Sequence, residues 1–336
     1  MSSEMRQNKL TGQWVIYASE RGDRPTQFGD GENGDGNVLP PVDPNCPFCP
    51  GNEDQLPEII LELPAHGVEK WQTRVVPNKY PMLTPAHDRE RERRGMYVWM
   101  RGFGHHEVII EHPRHDLDLA DMPVDALETV IETYHRRYTQ LIQQGSVPIV
   151  ILFRNHGDQA GTSIKHPHSQ LVAPGIVPQH IRRREDIAQQ YYDTWGRGLM
   201  ADILRHELEM QKRLVTENDT FVAFVPYAAE VPFEMWIVPR RQQAGFGEIA
   251  KSERAGLAKV LDDCLLRLRN ALNNPDYNYV IHTSARYKAG EPHLHWYVQV
   301  RPRLVTPAGF EIGSGMLVNP SLPEDDAATL RGIATD

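Results

Sequence analysis

The chain has 336 residues, 40% of them hydrophobic, which supplies apolar mass for one large core or two similar halves and excludes a disordered chain. A net charge of −9 and an isoelectric point near 5.9 exclude a phosphate-backbone footprint spread over the surface and leave room for a local basic pocket that takes a small anion. The opening MSSEMRQNKLTGQW has no apolar core of signal-peptide length, and no stretch is long and apolar enough to span a bilayer. The expectation is therefore a cytoplasmic protein with no nucleic-acid or membrane partner.

In chain order, residues 30–45 (GDGENGDGNVLPPVDP) read as a surface loop that delivers the chain to Cys46 and Cys49. Over 121–142 the positions Leu127, Val130, Ile131, Tyr134, Tyr138 and Leu141 keep helical spacing, with Asp121 available as N-cap. The run 147–153 (VPIVILF) and, after a glycine-containing loop, 168–173 (HSQLVA) have strand length and composition. Residues 178–214 are charge-rich and read as a helical surface linker.

The same order then returns. FVAFVP (221–226) and FEMWIVP (233–239) read as strands, followed by a helix carrying Leu257, Val260, Leu261, Cys264, Leu265 and Leu268, then the strand YNYVIH (277–282) and HLHWYV (293–298). Both halves end on His-x-His. The sequence thus predicts an α+β protein of two related units, 1–177 and 178–336, each an antiparallel sheet with a packed helix.

On a strand, His166, His168 and Gln170 share one face, while Pro167 and Ser169 point to the other. A neutral imidazole attacks phosphorus well, and His168 is suited to that role. Gln170 can donate to a phosphoryl oxygen but cannot act as an acid, which favours a lasting adduct. Taken alone, the same pair of histidines is equally a polar surface or a metal pair.

Three cysteines are too few for a disulfide framework, and Cys46-Pro47-Phe48-Cys49 points to metal or redox chemistry. A tetrahedral site needs two more ligands, for which His115 and His166 are chosen. A weaker second set, for zinc or iron, is His282, His293 and His295 with Glu185. Cys264 lies on an apolar helix stripe and reads as an ordinary core residue. Arg21 and Arg24 can form a clamp for a diphosphate, and the loop 155–163 (NHGDQAGTS) offers amide nitrogens and hydroxyls beside the histidine strand.

The opening WVI, the R-x-x-R-P, CPFCPGNE, PNKYPML, EHPRHD, HPHSQ, VPFEMWIVPRR and PHLHW together resemble the galactose-1-phosphate uridylyltransferase family of the histidine triad superfamily, nearly end to end. The resemblance implies two tandem histidine-triad-like units. It implies that His168 is the nucleotidylated nucleophile and that Gln170 contacts the phosphate. It implies a structural zinc on Cys46, Cys49, His115 and His166, and a second zinc or iron on His282, His293 and His295, with Glu185 placed only by allowing a gap. Arg21, Arg24, Asn78, Asn155 and Ser163 match positions around the nucleotide. Family members are homodimers, and the segment 309–315 with Glu311 corresponds to one that reaches into the partner's site. The expected substrates are a nucleotide sugar and a sugar 1-phosphate.

Ser169 stands where the best-known members carry Gly or Cys, and GFEIGSG departs from their hexose-binding segment. HPHSQ, GFGHHEV and GFEIGSG resemble equally an adenylyl-transferring branch that uses ADP-glucose or adenylylsulfate with phosphate. The expected function is UDP-glucose:hexose-1-phosphate uridylyl transfer through a covalent histidine intermediate, with adenylyl transfer to phosphate as the alternative. A non-catalytic nucleotide-binding module is the reading from another class, and the intact His168 argues against it.

Overall fold

The computed structural model describes residues 3–18, 20, 39–64 and 70–335. Among these residues ten strands form the main sheet. In the first half they are β1 (Leu61–Pro64), β2 (Trp71–Pro77), β3 (Gly104–Ile110), β4 (Ile151–His156) and β5 (His168–Pro174). In the second they are β6 (Leu214–Glu217), β7 (Phe221–Phe224), β8 (Met235–Pro239), β9 (Tyr277–His282) and β10 (Tyr297–Pro302). The order across the sheet is β6-β7-β8-β10-β9-β4-β5-β3-β2-β1, antiparallel throughout. Each half repeats one pattern: three strands, a helix, then two strands that insert at the centre. The halves meet where β4 pairs with β9, from Tyr277 opposite His156 to Ile281 opposite Leu152.

Helices α1 (Val124–Gln143) and α4 (Lys251–Leu272) are the two equivalent helices, and α2 (Gln179–Trp195) and α3 (Leu199–Met210) lie between the halves in sequence. The apolar stripe of α1 is buried at Leu127, Val130, Ile131, Tyr134, Tyr138 and Leu141, and that of α4 at Leu257, Val260, Leu261, Cys264, Leu265 and Leu268. Both stripes cover the same face of the sheet in one continuous core, where each fully buried aliphatic side chain contributes roughly 1.5–3 kcal/mol. On the opposite face, α3 packs Leu199, Met200 and Leu204 on β7, β8 and β10, closing the second half. On the same face of the first half the loop of Cys46, Phe48 and Cys49 packs on Val76, Val108 and Ile110, and a cleft beside it is lined by His166 and His168.

Several sequence expectations change in detail. Asp121 does not cap α1: it lies in a 3-10 turn (Leu119–Asp121), pairs with Arg269, and Pro123 precedes the helix. The apolar run at 147–153 enters the ladder only at Ile151, although Val147, Ile149 and Val150 are buried. Likewise His293 and His295 precede β10 instead of lying in it. The linker is two helices, separated where Gly196 adopts φ +65°, a conformation that favours glycine. Strands β1, β2, β3 and β6 lie outside the strands expected from the sequence: β2 and β3 are buried on both faces, so they lack the alternation that marks a half-exposed strand, and β6 starts at Leu214, where the expected linker ends.

Three further strands, Glu4–Gln7, Trp14–Tyr17 and Leu317–Asn319, form a small separate sheet, and a hairpin of Arg91–Arg94 with Tyr97–Met100 projects into solvent. Among the described residues no helix is long and apolar enough to cross a membrane.

Candidate active site

Strand β5 begins at His168, whose ring is buried in the floor of a cleft of about 850 Å³. His168 Nδ1 lies 2.8 Å from the carbonyl oxygen of His166. A carbonyl can only accept, so Nδ1 carries the hydrogen and Nε2 keeps its lone pair. Burial lowers the basicity of this imidazole. The neutral, nucleophilic form is thereby favoured. Phe48, from the cysteine loop, sets its ring edge-on to His168 at 5.4 Å between centroids.

Cys46, Cys49, His115 and His166 are buried, and their donor atoms all lie within 4.8 Å of one another. Cys49 Sγ is 3.6 Å from His115 Nδ1 and 3.5 Å from His166 Nδ1. Donors around a tetrahedral ion with bonds of about 2.0–2.3 Å stand about 3.3–3.8 Å apart, so this thiol–imidazole set fits a metal ion. His166 Nε2 lies 2.7 Å from the carbonyl of His112, which leaves Nδ1 unprotonated toward the cluster. Burial lowers His166 to about 4 and pushes the Cys46 thiol up to about 11, so a cation there would favour the thiolate.

The second metal set is not gathered in this way. Glu185, His282, His293 and His295 line one small pocket beneath α2, but His282 Nδ1 accepts from the guanidinium of Arg184 at 2.7 Å and its Nε2 donates to Gln299 at 2.7 Å. Glu185 accepts from Ala285 N, and His295 Nε2 bonds to Pro239 O. Among the described residues His293 Nε2 and His295 Nδ1 have no hydrogen-bond partner. Among the described residues only the Cys46 group brings its donors within reach of one ion. A guanidinium against His282 repels a second cation, so the four residues as arranged do not fit one.

Gln170 lies on the same face as His168, with its Oε1 2.8 Å from His106 Nε2. Asn78 joins this edge: its Oδ1 accepts from Tyr80 N and its amide nitrogen is 3.2 Å from His106 Nε2. Asn155 lines the cleft, held by Asn278 Nδ2 at 2.9 Å. Ser163 is exposed, between Thr162 and Ile164, which do line it. Gly157 opens this loop with φ +84°, and a Cβ there would collide with the Asp276 carboxylate. Glu311 caps its own short helix, Gly309–Ser314, by accepting from Ala308 N, and is not among the residues lining the cleft of its own chain. Arg21 and Arg24 lie outside the described residues.

Behind the histidine strand is a polar cluster that sequence reasoning missed. Glu111, fully buried, accepts from Tyr134 Oη at 2.5 Å, from Ser169 Oγ, and from Arg154 Nε at 2.9 Å. Its backbone N–H donates to Pro167 O at 3.1 Å. Arg154 also reaches Asp118 at 2.7 Å and Tyr277 Oη at 3.1 Å, while Tyr279 Oη stands 2.5 Å from Tyr134 Oη. Burial alone would push the Asp118 carboxyl up; Arg154 and His156 outweigh it and hold it below its usual value. The visible signal was Arg154, a charge at the end of the apolar run VPIVILF.

Two family models match the chain. The N-terminal domain of galactose-1-phosphate uridyl transferase matches residues 1–178 and its C-terminal domain matches 184–335. The chain belongs to the galactose-1-phosphate uridylyltransferase family. As members of that family are nucleotidyltransferases, so is this chain. ADP-glucose phosphorylase of Arabidopsis thaliana is 33% identical over 99% of this chain and 93% of its own. Galactose-1-phosphate uridylyltransferase of Thermotoga maritima is 27% identical, over 98% of each chain. The crystal structure of the Arabidopsis ADP-glucose phosphorylase with bound ADP-glucose superposes with a TM-score of 0.84 at 31% identity, covering 99% of both chains. A solved uridylyltransferase gives 0.74 at 25% identity, covering 98% of this chain and 97% of that one.

Proposed function

We propose that this family member transfers a nucleotidyl group through a covalent adduct on His168, with ADP-glucose as donor and inorganic phosphate as acceptor. The observation that carries the chemistry is the fixed tautomer of His168, whose Nε2 keeps a lone pair in a cleft. In the first half-reaction Nε2 attacks the α-phosphorus, the bond to the sugar-phosphate oxygen breaks, and glucose 1-phosphate leaves. In the second, a phosphate oxygen attacks the same phosphorus, the phosphorus–nitrogen bond breaks, and ADP leaves with His168 restored. Gln170 donates to a phosphoryl oxygen in both directions and supplies no proton to a leaving group.

The choice of an adenylyl donor reverses the order expected from the sequence. It is supported by the greater similarity to the ADP-glucose phosphorylase, 33% against 27% identity for the uridylyltransferase of Thermotoga maritima. Uridylyl transfer between UDP-glucose and galactose 1-phosphate is the second reading, supported by the family models. ADP-glucose, UDP-glucose and adenylylsulfate, each offered with phosphate and with galactose 1-phosphate, decide the matter. ADP release from ADP-glucose and phosphate is expected to exceed every other pairing by at least about tenfold. Faster exchange of UDP-glucose with galactose 1-phosphate would reverse the assignment, and inertness toward all three would favour a nucleotide-binding module.

We assign zinc to the Cys46, Cys49, His115 and His166 cluster in a structural role, since an S₂N₂ set with all four positions filled by protein leaves none for substrate. Cys49→Ser is expected to bring bound zinc from about one per chain to none and to lower the melting temperature by on the order of 10 °C. Metal analysis and thermal scans check this; a metal-free wild type of unchanged stability would remove the assignment. We also propose a cytoplasmic homodimer in which the helix of Glu311 completes the partner's site. Phe310 and Ile312 on that helix are 51% and 78% exposed, as a segment that docks elsewhere would leave them.

A further inference from the structure

We infer that His106 is a positioning residue that fixes which end of the Gln170 amide faces the phosphate. The inference rests on the role proposed above for His168 and Gln170. His106 sits on β3, 6% exposed, between a backbone amide and the Gln170 side chain. Met82 N donates to His106 Nδ1 at 3.1 Å. A backbone N–H can only donate, so Nδ1 keeps its lone pair and the ring hydrogen sits on Nε2. That N–H stands 2.8 Å from Gln170 Oε1.

Asn78 does not compete for this hydrogen. Its own oxygen is taken by Tyr80 N, so its amide nitrogen offers hydrogens to a ring nitrogen that already bears one. Among the described residues Gln170 Oε1 is the acceptor that stands against this N–H. The chain from Met82 N–H through the imidazole to the glutamine oxygen thus has one consistent direction.

The consequence is chemical. A primary amide has an accepting end and a donating end of nearly equal size, and rotation by half a turn exchanges them. Toward a phosphoryl group the wrong end is an oxygen facing oxygens. With Oε1 held by His106, the NH₂ group is left as the end available to a phosphoryl oxygen. Fixing a donor before reaction is what gives it leverage on the transition state.

His106→Phe keeps a planar ring but loses both nitrogens. The expected result is a fall of about 10–100-fold in kcat and in the single-turnover rate of His168 labelling, with donor KM changed less than about threefold. Zinc content and melting temperature are expected to stay near wild type. His106→Gln, which can accept at one end and donate at the other, is expected to recover at least about tenfold of the loss. In a Gln170→Ala background, His106→Phe is expected to add almost nothing, because its effect passes through Gln170. An equal further loss in that background overturns the inference, as does a His106→Phe enzyme with full labelling rate. The nitrogen-15 spectrum of the wild-type imidazoles is a test without turnover: His106 as the Nδ1–H tautomer overturns the inference whatever the activity. Absence of label on wild-type His168 with either ADP-glucose or UDP-glucose is a different failure, that of the covalent mechanism.

Discussion

Replacing His168 with glycine is expected to abolish nucleotidyl labelling and turnover together, with kcat reduced at least about 10⁴-fold. The wild-type adduct is expected to accumulate when donor is given without acceptor, because the Gln170 carboxamide is neither an acid nor a base that could hasten its hydrolysis. Intact mass is then expected to show a gain equal to an adenylyl group, AMP less one water, or to a uridylyl group on the second reading, so one measurement reports both mechanism and base. The adduct is expected to vanish in brief acid and survive base, as a phosphoramidate does. Glycine leaves space beside Phe48, and added imidazole can occupy it as a diffusible nucleophile. Equal labelling of wild type and variant would refute covalent catalysis at this position.

The second large effect concerns stability. Arg154 and Glu111 are a buried ion pair, their side chains 3% and 0% exposed. Removing the cation by Arg154→Met leaves Glu111 with the hydroxyl donors of Tyr134 and Ser169 but without the guanidinium, and takes the guanidinium from Asp118 as well. Breaking such a pair from one side costs roughly 3–5 kcal/mol, because the surviving charge stays desolvated. Chemical unfolding is expected to shift to lower denaturant by that amount, and adding Glu111→Gln is expected to recover part of it. A loss below about 1 kcal/mol for Arg154→Met would mean that the pair does not hold the centre of the sheet.

The residues of the site differ in how far the sequence exposes them. His168, Gln170, Cys46, Cys49, His115 and His166 are legible because the chemistry is concentrated in short motifs whose spacing on a strand or loop sets their direction. The repeat is legible because both halves carry the same helix stripe followed by strands. His106 is not: it is one histidine of GHHEVII, and its relation to Gln170 depends on β3 pairing with β5, where Val108 stands opposite Gln170. Tyr134 reads as one more apolar position of α1, since helical spacing cannot tell a tyrosine that packs from one that also donates to Glu111. Ser169 looks like a specificity signal beside the nucleophile, yet its hydroxyl points to the opposite face and holds the strand. The second metal set fails for a related reason: His-x-His precedes β10, and the adjacent Arg184 on α2 takes the position from which a cation would meet His282.

The β4–β9 seam gives the chain the character of a tethered pair. Two half-sheets that pair edge to edge as separate polypeptides would come apart on dilution, and each would then offer a bare strand edge to any other chain. Here the partner edge is always present at the concentration set by covalent connection. His295, which stands before β10 much as His168 stands at the head of β5, has its Nε2 occupied by Pro239 O, under a roof of α2 and α3. The second half, closed by α3 on this face, backs the cleft of the first as a wall across the seam.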